Sequence, residues 1–110
     1  MPKHHRLTRS DLAISARGPR RRISGDYFFL VVAPLPDARR ARAACVVSKK
    51  VSARASVRNS LKRRCREVLR PHLSKYTPPR ALIFHARREA LDASFSRLKR
   101  DIEKLLTRAR

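Results

Sequence analysis

Residues 43–70 read AACVVSKKVSARASVRNSLKRRCREVLR. Two periodicities meet in this stretch. Residues 43–48 (AACVVS) are small and β-branched, which predicts a strand. From residue 56 the pattern changes. At about 100° per helical residue, Val57, Leu61, Cys65, Val68 and Leu69 fall on one arc. Asn59, Lys62, Arg63, Arg66 and Arg70 fall on the opposite arc. The spacing predicts a helix over 56–70 with an apolar face turned to a core and a basic face turned outward. Arg64 sits at the boundary. Arg58 points toward the apolar side, but in the first turn, where a long side chain reaches past the helix end. Lys49 and Lys50 end the preceding strand and Arg54 lies in the loop, so all three extend the basic face. Pro71 closes or kinks the helix.

Upstream, residues 27–32 (YFFLVV) are aromatic and β-branched and predict a buried strand, hairpin-paired with the strand at 43–48. Pro34 to Asp37 is a turn or loop. Downstream, Thr77-Pro78-Pro79 marks a loop and residues 81–85 (ALIFH) a third strand. Phe95, Leu98, Ile102, Leu105 and Leu106 recur at helical spacing and predict a final amphipathic helix from about 92 to 107. Ser10 and Asp11 suit the start of a short helix through about Ala16, stopped by Gly18-Pro19. Residues 20–22 form a charge run and residues 1–6 a loose basic tail. The order predicts an α+β fold over residues 1–110, one domain with a small sheet and helices mainly on one face.

The chain carries 29 Lys and Arg against 8 Asp and Glu, a formal net charge of +21 on 110 residues. That much charge repels itself. A polyanion relieves the repulsion, because each docked cation releases condensed counterions. The charge is also unevenly placed. Residues 38–70 hold twelve Lys and Arg and a single acid, Glu67. An ordinary solvated helix face would interleave acids to make i,i+4 pairs. The face at 57–70 has only Glu67, which is set to organise the neighbouring arginines or to pair with Arg63. The composition points to nucleic acid, RNA above all. The final helix holds Asp101 and Glu103 among its cations and reads as charge-mixed and structural.

Protein-borne phosphodiester chemistry is not indicated. Two-metal sites need clustered carboxylates, and the acids here are scattered. His4, His5, His72 and His85 show no general-base partner, and the sequence offers no metal site and no catalytic residue. Cys45 and Cys65 lack a CxxC spacing and read as small buried hydrophobes in a reducing compartment, the cytoplasm. No stretch resembles a membrane span.

Residues 47–67, VSKKVSARASVRNSLKRRCRE, closely resemble the signature of the bacterial ribonuclease P protein component. There a strand ending in SKK leads through a small-residue loop into an Arg-Asn-x-x-Lys-Arg-x-x-Arg-Glu helix. Lys49, Lys50, Val57, Arg58, Asn59, Lys62, Arg63, Arg66 and Glu67 stand where that pattern places them. HRLTRSDL at 5–12 and the strands and final helix follow the family's order, so the resemblance covers essentially the whole chain. It implies an α+β sandwich of about four strands with a left-handed βαβ crossover through the basic helix, an arrangement also found in a ribosomal protein. It further implies a non-catalytic subunit. The RNA partner cleaves the 5′ leader from precursor tRNA with Mg2+, and the protein holds ribozyme and leader with no obligate protein partner. The RNA-binding residues implied are Lys49, Lys50, Arg54, Arg58, Asn59, Lys62, Arg63, Arg66 and Arg70. Leu12, Ala16 and Phe28 line the implied leader cleft. Departures are Ser52 for the family's usual Gly, Ser60 for a common Arg, and Leu12 and Ala16 for two usual Phe. A ribosomal protein and, further off, a DNA-binding regulator fit the charge as well; only the signature separates them.

Overall fold

The computed structural model describes residues 6–7, 20–35 and 40–110. Four strands and two α-helices follow one another: β1 (Arg21–Ser24), β2 (Phe28–Pro34), β3 (Arg42–Val46), α1 (Ala55–Leu73), β4 (Arg80–Ala86) and α2 (Phe95–Ala109), with a 3-10 helix at Arg88–Asp92. The sheet order is β1-β2-β4-β3. β1–β2 and β2–β4 are antiparallel, and β3–β4 is parallel. α1 makes the crossover that brings β4 beside β3. The expected α+β fold with a sheet of about four strands holds. No helix is long and apolar enough to cross a membrane.

The expected β2–β3 hairpin does not form, because β4 lies between the two. The physical reason is in the side chains. Residues 81–84 of β4 are all buried, so this strand needs cover on both faces and both edges. An edge position would leave its ladder groups open. The parallel β3–β4 pair also needs a long crossover, which α1 supplies. A further strand, β1, occupies the charge run at 20–22. Only Ile23 of its four residues is buried, so the apolar signal is one residue deep. Arginines on both faces suit an exposed edge. Arg6, expected in a loose tail, instead bridges Ala43, and the Leu7 N–H donates to the Ala43 carbonyl at 3.1 Å.

Alternation along the strands divides the sheet into two faces. Ile23, Phe28, Leu30, Leu82, Phe84 and Cys45 turn toward the helices and join Leu61, Leu69, Leu98, Ile102 and Leu105 in one core. Phe28 meets Phe84 edge-on at 6.4 Å. The Cys45 and Cys65 sulfurs touch at 2.8 Å, both buried and both free thiols. Burial, then the Cys45 contact, pushes the Cys65 thiol well above its ordinary range. It therefore behaves as the small hydrophobe the sequence suggests.

α1 runs past Pro71 to Leu73, longer than expected. Pro71 is exposed, while Leu73 and Tyr76 are buried behind it and hold the last turn in place. The Tyr76 hydroxyl donates to the Ala109 carbonyl at 2.9 Å and ties that turn to α2. α2 begins at residue 95 because Ser94 is its N-cap, accepting from the Arg97 N–H. Asp101 of α2 is the buried charge of the core, 5% exposed. Its carboxylate accepts the backbone N–H groups of Asp26, Tyr27 and Phe28 at 2.9, 2.9 and 3.0 Å. Gly25 leaves the room for this, since a Cβ there would lie 2.7 Å from Asp101 Oδ1. This anchor fixes where β2 starts, and hence which of Phe28 and Phe29 faces the core.

Candidate nucleic-acid interface

The first surface is the outer face of α1. Leu61, Cys65, Val68, Leu69 and Leu73 are buried, as the apolar arc predicts. Asn59, Arg63, Arg64 and Arg70 are exposed, and Lys62 and Arg66 are half-exposed. Lys49, Lys50 and Arg54 are exposed in the turn before the helix. The basic residues singled out in the sequence thus occupy one continuous surface. No acid sits in the first turn of α1 and no side chain caps it, so its free N–H groups add to the positive field.

Arg58 differs from the others. Its Nη1 donates to the carbonyls of Ser52 and Ala53, both at 3.0 Å. It folds the loop back onto the helix start, so part of its work is structural. Glu67 makes no ion pair with Arg63: among the described residues the ion pair is His72 with Glu103, Nε2 to Oε2 at 2.9 Å, joining α1 to α2. No local pattern pairs His72 with Glu103, because the two residues are 31 positions apart. Arg88 was also missed; its Nε donates to the Lys50 carbonyl at 3.0 Å and places another cation beside that turn.

The second surface is the Phe29–His85 end of the sheet face turned away from the helices; along the rest of that face Ile83, Ala33 and Ala81 are buried. Phe29 and His85 face each other across β2 and β4 and stack, centroids 4.5 Å apart and planes 4° from parallel. The Arg22 guanidinium lies 4.1 Å from the Phe29 ring centroid and that of Arg87 lies 5.5 Å away. Arg87 Nε is buried with no hydrogen-bond partner among the described residues. Val46, 36% exposed, stands on the same face in register with His85. His85 and Arg22 already cover the Phe29 ring, so what this cluster offers RNA is its guanidinium groups, which can meet a base by cation–π stacking and its phosphates by charge.

This geometry corrects one expectation. Phe28 is 1% exposed and packed in the core, so it cannot stack on RNA. Its neighbour Phe29 occupies the open face, since adjacent strand residues point opposite ways. Leu12 and Ala16, and the short helix expected there, lie outside the described residues. Among the described residues no three of His, Cys, Asp and Glu gather as a metal-binding group.

Burial, then the nearby Arg22 charge, lowers the His85 pKa from 6.5. A histidine whose folded pKa is depressed takes up a proton more readily when unfolded. Stability is therefore full above about pH 6.5 and falls as the pH drops below it, toward the folded value. Thermal melts between pH 8 and pH 5 should show this loss, and H85Q should show a shallower one. Equal acid slopes for both proteins would show that His85 is not the group responsible.

The family described as Ribonuclease P matches residues 1–110. The chain is similar to the ribonuclease P protein component of a Picosynechococcus strain, 32% identical over 99% of this chain and 93% of that protein. That of Bordetella petrii is 35% identical over 91% and 84%. Among solved structures, the RNase P protein of Staphylococcus aureus superposes with a TM-score of 0.82 at 22% identity, over 96% of this chain and 95% of the other. That of Thermotoga maritima gives 0.78 at 23%, over 94% and 96%. These two likenesses concern the fold.

Proposed function

The chain belongs to the ribonuclease P protein family and is, as a member, a protein component of ribonuclease P; from that premise we propose that it binds two RNAs on its two surfaces and leaves the chemistry to one of them. The outer face of α1, with Lys49, Lys50 and Arg54, docks on the catalytic RNA. The Phe29–His85 end of the far sheet face holds the 5′ leader of precursor tRNA, with the guanidinium groups of Arg22 and Arg87 around that stacked pair as its contacts. Magnesium bound through the RNA would supply the activation of water at the scissile phosphate. The protein reduces repulsion between two polyanions that must meet, so leader binding tightens and less magnesium is needed. Its compartment is the cytoplasm, in keeping with two buried free thiols, and residues 1–110 act as one domain.

The observation that carries this reading is the outer face of α1, where exposed cations stand with Glu67 as the one acid. Its cations have no carboxylate within ion-pair distance among the described residues. Charges held this way are free to meet phosphates. The test is reconstitution. Adding the protein to its catalytic RNA at low magnesium should raise the rate of precursor cleavage and favour precursor over mature tRNA. No gain in rate, together with co-sedimentation with ribosomal subunits, would replace the reading with a ribosomal binder.

A further inference from the structure

The sequence presents α2 as charge-mixed, and the fold removes the mixture. Asp101 is buried and its oxygens are taken by three backbone N–H groups. Glu103 is paired with His72 of α1, and it also borders a hollow lined by Arg100, Lys104 and Arg108. Neither acid lies within ion-pair distance of a cation of α2 among the described residues. Arg97, Arg100 and Lys104 are exposed, and no carboxylate lies within ion-pair distance of them among the described residues. The side of α2 toward β1 is thus a second positive surface.

Helix-end compensation accounts for some of the arginines nearby. Arg21 Nη2 donates to the Arg108 carbonyl at 3.2 Å and Arg80 Nη1 to the Ala109 carbonyl at 2.7 Å. Both offset the negative end of α2. Arg108 Nη1 donates to the Ser24 carbonyl at 3.0 Å, so β1 and the end of α2 form one connected surface. None of this accounts for Arg97, Arg100 and Lys104, whose side chains make no hydrogen bond among the described residues.

β1 connects this surface to the open sheet face. Arg21 and Arg22 are neighbours on an edge strand and point to opposite faces. Arg22 lies over Phe29, and Arg21 reaches α2. Cations therefore pass round the sheet edge without a break, from Phe29 and Arg22 to Arg21 and Arg108 and on to Lys104 and Arg100. Asp26 lines the same hollow as Arg97, Arg100 and Lys104, so three cations and one exposed carboxylate border it. The α1 surface lies on the far side of the His72–Glu103 pair.

We propose that the single-stranded leader, after crossing the open sheet face, turns over the β1 edge and lays its distal phosphates on α2, against Arg100 and Lys104. The occupant is single-stranded because the path bends around an edge strand, which a stiff duplex does not follow. This rests on the reading of the open face given above, since the track begins there.

The experiment uses the protein assembled with its catalytic RNA and precursors with leaders of graded length. The triple variant Arg97→Gln, Arg100→Gln and Lys104→Gln should lose affinity on the order of tenfold for long leaders. The log–log salt slope should fall by about 2, at roughly 0.7 per single-strand phosphate contact. Leaders too short to leave the sheet face, mature tRNA and assembly with the catalytic RNA should be unaffected, with an unchanged melting temperature. No loss for long leaders, or an equal loss at every length, overturns the proposal. Weakened assembly also overturns it and assigns the surface to the catalytic RNA. If the unaltered protein itself does not favour leader-bearing RNA over mature tRNA, the open-face reading fails first and the extension falls with it.

Discussion

Asp101→Ala is expected to lower the unfolding free energy by about 3 kcal/mol, because one buried and two part-buried N–H groups lose a charged acceptor at roughly 1 kcal/mol each. For a domain of this size that is a fall in melting temperature of roughly 15 °C. The carboxylate accepts from Asp26, Tyr27 and Phe28 and is 5% exposed, so water replaces it poorly. The turn it holds sets the register of β2, and a slip of one residue would bring Phe28 to the open face and Phe29 into the core. The variant should therefore lose leader binding faster than it loses docking through α1. Chemical denaturation with an intact m-value measures the first effect. A loss well under 1 kcal/mol would show that the three donors find other partners.

Neutralising Lys62, Arg63 and Arg66 together, each to Gln, should weaken assembly with the catalytic RNA on the order of a hundredfold near physiological salt. Each lost phosphate contact removes roughly 0.9 from the log–log salt slope. The three side chains stand on the outer face of α1, away from the core, so the fold should be kept. Arg58 is left out because it also bonds the carbonyls of Ser52 and Ala53, and its loss would confuse loop disorder with lost contacts. Equal affinity at low and high salt for variant and unaltered protein would remove α1 as the docking face.

The face of α1 was legible in the sequence because both of its signals are local. Leu61, Cys65, Val68 and Leu69 mark the buried arc by spacing alone, and the cations between them mark the other. The role of Asp101 was not legible. Its partners lie 73 to 75 residues away, and no periodicity reports a contact at that distance. The same holds for His72 with Glu103, and for Arg22 over Phe29. β1 was read as a charge run because an edge strand with one buried residue carries almost no apolar pattern.

Local pattern alone sets the class of the fold, the basic helix and its two faces, and the family signature. Those follow from helical and strand periodicity, from net charge, and from fixed spacings in residues 47–67, all of which act within a few turns of chain. Long-range packing is what puts β4 between β2 and β3 and turns Phe28 rather than Phe29 into the core. It also turned α2 from a charge-mixed helix into a positive surface. The reason is common to all three. Strand partners, face assignment and the neutralisation of acids are set by which distant groups must be buried together, and a buried donor or charge takes whatever partner the packing brings.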